Sequence, residues 1–208
     1  MNQIKNIVFD LGGVIIDLDR QESVNRFVAM GIADAGDMLN PYRQHGVFLQ
    51  SEDGSITAEG FIEKLSEMSG KALSYETVSH GWLGFLKKVS QEKLDYILSL
   101  RADYKIYLLS NTNPFVMDFA NTTAFSEAGK PITEYFDKIY ASCEMKVAKP
   151  HREIFELMLA DSGMIPSETL FLDDGEANVK MGAAVGLHTY QPVDGEDWRA
   201  KVDQLLGR

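Results

Sequence analysis

Four short segments set acidic, basic and hydroxyl side chains beside apolar ones: Phe9-Asp10-Leu11-Gly12-Gly13-Val14, Leu109-Ser110-Asn111-Thr112-Asn113, Val147-Ala148-Lys149-Pro150 and Leu172-Asp173-Asp174-Gly175. Together they offer hard oxygen donors and one ammonium. If Asp10 meets the Asp173-Asp174 pair, the three carboxylates raise one another's pKa values until a cation joins them. Ser110 and Asn111 carry a hydroxyl and amide N–H groups of the kind that stabilise phosphate oxygens. Lys149 brings a compact positive charge. Gly12 and Gly13 suit a backbone that approaches a ligand closely or takes unusual dihedrals. Taken singly, each segment also has an ordinary use. One aspartate of the 173–174 pair can cap the following helix, and Asp10 can be a turn residue after a strand. Ser110 to Asn113 can be a loop ending in an N-cap before Pro114, and Lys149 a surface lysine before a proline. His45, His80, His151 and His188 form no ligand-spaced pair.

The elements that must bring these segments together are legible as apolar runs. Ile7 to Phe9, Ile106 to Leu109, Ile139-Tyr140, Thr169 to Leu172 and His188 to Tyr190 read as strands buried on both faces. Helical patterns follow most of them; Ile154, Phe155, Met158 and Leu159 fall on one side of a helix. Alternating strand and helix implies an α/β fold, a doubly wound parallel sheet, and such sheets bind ligands beyond the carboxyl ends of their strands. Between about Gln21 and Leu100 the alternation lapses. Helical patterns such as Phe61, Ile62, Leu65 and Met68 occur there and no strand is read, with Thr57 a candidate N-cap and Glu59 near the positive helix end. The expected organisation is a core of residues 1–16 and 90–208 carrying a small all-helical insertion of residues 17–89.

Composition narrows the partners. The 208 residues include 20 Lys+Arg and 31 Asp+Glu, a formal charge of −11, which repels nucleic acid and anionic lipid surfaces. A chain this long buries about 70% of its surface and needs no disulfide. The single cysteine, Cys143, reads as a core thiol in a reducing compartment. The N-terminal residues reach Asp10 too soon for a signal peptide or membrane span, so a cytoplasmic location is expected. The oligomeric state is left open.

The four segments, in this order, resemble the haloacid dehalogenase superfamily, whose phosphatases carry a nucleophilic aspartate after the first strand, then a Ser or Thr, a Lys and an acidic pair. The helical insertion after Asp10 matches the family's small cap domain. Phe9 to Asp19 and Ser110-Asn111-Thr112-Asn113 look most like its bacterial sugar-1-phosphate phosphatases. The resemblance implies a Rossmann-like core and a phosphomonoester hydrolase in which Asp10 attacks phosphorus and water later hydrolyses the aspartyl-phosphate. It implies Mg2+ held by Asp10, Asp174 and the Gly12 carbonyl, with Asp173 behind them. Leu11, Gly12, Ser110, Asn111 and Lys149 would bind the phosphate of a small phosphorylated metabolite, and Lys149 would also hold Asp10. Mg2+ suits such a set because it prefers oxygen ligands and keeps waters beside one or two carboxylates and a phosphate. A lid hinged near residues 17–20 and 81–88 would gate water.

One departure carries weight. Most of these phosphatases have a second aspartate two residues after the first, acting as general acid and base, and this chain has Gly12 there. General acid–base help is typically worth about 10²–10⁴-fold, so a leaving group already stable as an anion is expected, such as the anomeric oxygen of a sugar 1-phosphate. Asp17 and Asp19 are read as solvated loop residues. His45, Phe48 and Trp82 either line the substrate side or pack the helical insertion. Two other functions compete: a metal-independent dehalogenase, which the acidic pair disfavours, and a phosphate-binding module without turnover, which Gly12 favours.

Overall fold

In the computed structural model, described over residues 3–40, 44–193 and 195–208, the chain begins with β1 (Asn6–Phe9) and β2 (Ile16–Leu18). The helices α1 (Arg20–Met30), α2 (Ala35–Met38), α3 (Gly46–Glu52), α4 (Ala58–Ser69) and α5 (Tyr75–Trp82) follow, and then β3 (Leu86–Val89). Beyond it come α6 (Gln91–Leu100), β4 (Lys105–Ser110), α7 (Pro114–Ala120), β5 (Lys138–Ala141), α8 (Ser142–Met145) and α9 (Arg152–Ser162). The last elements are β6 (Thr169–Leu172), α10 (Glu176–Ala184), β7 (His188–Tyr190) and α11 (Arg199–Leu206).

Five strands form a parallel sheet in the order β5-β4-β1-β6-β7. The unbroken apolar runs follow from its layering. Ile7 and Phe9 of β1 join Ile106, Leu108, Leu170 and Leu172 on one face, against Leu94 and Ile97 of α6 and Val202 of α11. Val8, with Leu109 and Phe171, packs on the other face against Ile154, Phe155 and Met158 of α9. Each central strand therefore buries both sides, which an alternating sequence could not do. β7 departs from that expectation: as the sheet edge it is only half-buried along its length.

The helical insertion has its own core, in which Phe27, Phe48, Phe61 and Trp82 meet mostly edge to face or tilted. Phe48 and Trp82 are thus packing residues, and exposed His45 faces Asp37 across 3.2 Å. Phe115 and Val116 of α7 extend this cluster from the sheet side. α4 starts where the sequence predicts, with Thr57 Oγ1 accepting from the Gly60 amide.

Both strands of a second, two-stranded sheet, β2 and β3, are absent from the sequence reading. Leu86-Lys87-Lys88-Val89 repeats with neither a two-residue nor a helical period, and its two lysines face solvent. It pairs antiparallel with β2, Ile16 opposite Val89. The chain thus leaves for the helices and returns from them along one two-stranded ribbon. No helix among the described residues is long and apolar enough to cross a membrane.

Candidate active site

Register places three of the four segments at the carboxyl ends of the adjacent strands β4, β1 and β6, and Lys149 reaches them from the loop after α8. Phe9, the last residue of β1, lies opposite Leu108 and Leu172, and the Asp10 amide donates to the Leu172 carbonyl at 2.8 Å. Asp10 and Asp173 therefore emerge side by side from neighbouring strands. The following loop is tightly held: Ile15 and Ile16 amides both donate to Leu11 O, and the Val14 carbonyl accepts from buried Lys93 Nζ at 2.7 Å and Trp198 Nε1 at 2.8 Å.

Lys149 is no surface residue. Its fully buried ammonium has three N–H donors, and each has a partner: Asp10 Oδ1 at 3.0 Å, Asp173 Oδ2 at 2.5 Å and Leu109 O at 2.8 Å. Burial pulls the Lys149 pKa down, but Asp10 and Asp173 outweigh it and hold the amine above its ordinary value, charged. Asp173 is fully engaged, its other oxygen accepting from the Gly175 amide and Asn178 Nδ2, both at 2.8 Å. The N-cap of α10 is Gly175, so neither aspartate of the pair is the capping residue.

Asp10, Asp173 and Asp174 each offer an oxygen, and these oxygens lie within 4.8 Å of one another. Burial, together with the Asp173 and Asp174 charges, pushes the Asp10 carboxyl up to about 8, against the pull of Lys149. Three carboxylates around one ammonium leave an excess of negative charge that a divalent cation would offset, and an all-oxygen donor set suits Mg2+.

The glycines beside Asp10 differ in what they require. Gly13 has φ +71°, and a Cβ there would fall 2.3 Å from Asp174 Oδ2. Its missing side chain is the space the Asp174 carboxyl occupies. Gly13→Ala is expected to cost about 1–3 kcal/mol through backbone strain and to displace Asp174; urea denaturation and Mg2+ titration would show both losses. Gly12 has no positive φ, and a Cβ there would meet only the flexible Leu18 side chain, at 3.1 Å. Nothing in its backbone demands glycine.

The serine station holds one surprise. Ser110 is buried with its hydroxyl in only a long 3.4 Å contact to Asn111 O. Of the two Asn111 donors the sequence offers, main chain and side chain, the side chain is already engaged: Nδ2 donates to Lys149 O at 2.9 Å and Oδ1 accepts from Lys149 N at 2.8 Å. It clasps the main chain that delivers the buried ammonium. Asn113 caps α7 through the Val116 amide, as its position before Pro114 implies. Asp17 lies in β2, and Asp19 is the N-cap of α1 through the Glu22 amide. The buried Cys143 thiol is pushed up to about 11 by burial, an unreactive core group. Asn178 and Ser142, unnoticed in the sequence, tie the site together; Ser142 Oγ accepts from the Thr112 amide and donates to Glu52 O.

Residues 4–186 match the family model of haloacid dehalogenase-like hydrolases. The chain belongs to that family. Within the haloacid dehalogenase-like hydrolases it is similar to a D-ribitol-5-phosphate phosphatase of Bacteroides thetaiotaomicron, 48% identical over 203 residues and 98% of each chain. A structure of a haloacid dehalogenase-like hydrolase from Porphyromonas gingivalis is 50% identical, with TM-score 0.95 over 99% of each chain. A second family enzyme of B. thetaiotaomicron, solved in complex with magnesium and inorganic phosphate, is 41% identical with TM-score 0.86, covering 94% of this chain and 97% of that one. The chain is a phosphohydrolase of this family.

Proposed function

We propose that this protein hydrolyses the monoester of a small phosphorylated sugar or polyol, with Mg2+, through an aspartyl-phosphate on Asp10. The convergence of Asp10, Asp173, Asp174 and Lys149 at these strand ends carries the reading. Asp10, Asp174 and the Gly12 carbonyl would hold Mg2+, with Asp173 behind them, and the bound ion would lower the repulsion between carboxylate and phosphate. Two unit charges 4 Å apart repel by about 4 kcal/mol at an effective dielectric near 20, so that neutralisation decides whether attack occurs at all.

In this mechanism the free Asp10 oxygen attacks phosphorus, a P–O bond forms, and the ester P–O bond breaks with its electron pair leaving on the alcohol oxygen. Lys149 holds Asp10 in place and offsets the phosphate charge, while Ser110 and the main chain at Leu11, Gly12 and Asn111 bind phosphate oxygens. Water then attacks the acyl phosphate, releasing phosphate and regenerating the carboxylate. Residues 1–16 and 90–208 form the chemical core, and residues 17–89 cover it. The lone buried thiol and the acidic surface suit a cytoplasmic enzyme for soluble metabolites rather than nucleic acid or membrane.

Two leaving groups merit comparison. Gly12 in place of a proton-donating aspartate favours the anomeric oxygen of a sugar 1-phosphate, whereas the D-ribitol-5-phosphate phosphatase relative favours a primary polyol phosphate. Phosphate release from phenyl phosphate, glucose 1-phosphate and D-ribitol 5-phosphate, with Mg2+ or excess chelator, tests the reading. Chelation is expected to lower the rate by more than about 10²-fold, since a metal supplies several kcal/mol of transition-state charge stabilisation. Chelator-resistant release of halide from a 2-haloacid would overturn it.

A further inference from the structure

Besides the Asp10 cluster, the described residues hold one other carboxyl pushed up to near neutrality, that of Glu52, the last residue of α3. Burial raises it to about 7, while a hydrogen bond from Gln44 and the Lys149 charge lower it and Asp53 raises it. The placement is fixed by the main chain. Ser142 Oγ donates to Glu52 O at 2.6 Å and is bonded to the Thr112 amide at 2.9 Å, so the end of α3 rests on the loop that follows Asn111. Two residues on, a Cβ at Gly54 would lie 2.1 Å from Cys143 O; the α3–α4 turn and α8 touch backbone to backbone.

Around this carboxyl, hydrogen-bonding capacity goes unused. Gln44 Nε2 donates to Glu52 Oε1 at 3.0 Å, but Gln44 Oε1 is buried with no partner among the described residues. So is Thr112 Oγ1, on a residue 3% exposed. A third such atom, Trp82 Nε1, lies in the aromatic cluster of the insertion. An unsatisfied buried polar atom costs about 1–3 kcal/mol, and native proteins leave few. A phosphate is the wrong occupant next to a carboxyl. A hydroxyl is the right one, because it can donate to Gln44 Oε1 or Glu52 and can equally accept from a hydroxyl such as that of Thr112.

We propose that Glu52, Gln44 and Thr112 form the subsite that recognises hydroxyl groups on the non-phosphate part of the substrate, and so select a sugar or polyol ester. The proposal rests on the phosphatase reading above and names its specificity-determining residues. Truncating a group that hydrogen-bonds a hydroxyl through a charge is worth about 10- to 100-fold in discrimination.

The test is the ratio of kcat/KM for D-ribitol 5-phosphate and glucose 1-phosphate over that for phenyl phosphate, which has no hydroxyl to recognise. Glu52→Leu is expected to lower at least one of these ratios by about 10- to 100-fold, mainly through KM, and Glu52→Gln to restore part of it. Ratios unchanged in Glu52→Leu, whatever the absolute rates, overturn the proposal. If the wild type hydrolyses none of the three esters, the phosphatase reading itself fails. Thermal shift with D-ribitol 5-phosphate against phenyl phosphate then decides the subsite: stabilisation by the polyol ester alone, lost in Glu52→Leu, supports it, and its absence in the wild type refutes it.

Discussion

Asp10→Asn is expected to abolish phosphate release, by at least about 10⁴-fold, the scale on which removal of a covalent nucleophile acts. The amide oxygen is a poor nucleophile, yet the fold should tolerate it. Asp10 Oδ1 accepts from the Leu11 amide at 2.7 Å, and an asparagine oxygen can do the same. Stability should move the opposite way from activity. The Asp10 carboxyl is raised from 3.8 to about 8 by burial and by the Asp173 and Asp174 charges, so the metal-free fold binds a proton more tightly than the unfolded chain does. Its contribution is full below 3.8 and lost as pH rises towards about 8. The Asn variant lacks that loss. Melting temperatures of the two metal-free proteins across this range, beside phosphate release at saturating Mg2+, would show both effects; a variant with wild-type turnover would remove Asp10 from the mechanism.

Lys149→Met should damage both fold and reaction. The substitution keeps most of the stem's volume but strips the charge from between Asp10 and Asp173, the latter wholly buried. Removing one partner of a buried ion pair typically costs about 3–5 kcal/mol, because the remaining charge is stranded. Urea denaturation of the metal-free protein should register that loss. Adding Asp173→Asn should return part of the stability, since it removes the stranded charge, but none of the turnover. A single variant as stable as wild type would mean that the ammonium compensates for nothing in the folded state.

How much of this was readable in the sequence depended on the range of the interactions. β1, β4 and β6 stood out because burial on both faces demands unbroken apolar runs, and polar residues at their ends stood out by contrast. The Asn113 cap and the Thr57 cap were readable because each bonds an amide three residues away. β3 was not: Leu86-Lys87-Lys88-Val89 draws its pairing from a strand seventy residues earlier in the chain, Ile16 to Leu18. Nor were the devices that tune the site. Asn111 grips Lys149 across 38 positions and Ser142 reaches Glu52 across 90, and such side-chain-to-backbone bonds leave no period in the sequence. The residue types at the four stations stood out in the sequence, whereas the groups that hold them looked like ordinary polar residues.

The β2–β3 ribbon makes the helical insertion separable in a literal sense. Leu18 and Leu86 lie paired, so a tight two-residue turn could splice one strand to the other and omit everything between. The sheet and its two helical layers would keep their interior packing, since the excised segment draws on them chiefly through Phe115 and Val116. An insertion anchored this way also costs the host little, as loop-closure entropy grows only with the logarithm of length. A different module could be grafted between the same two strands, giving a new repertoire of substrates on unaltered catalytic hardware.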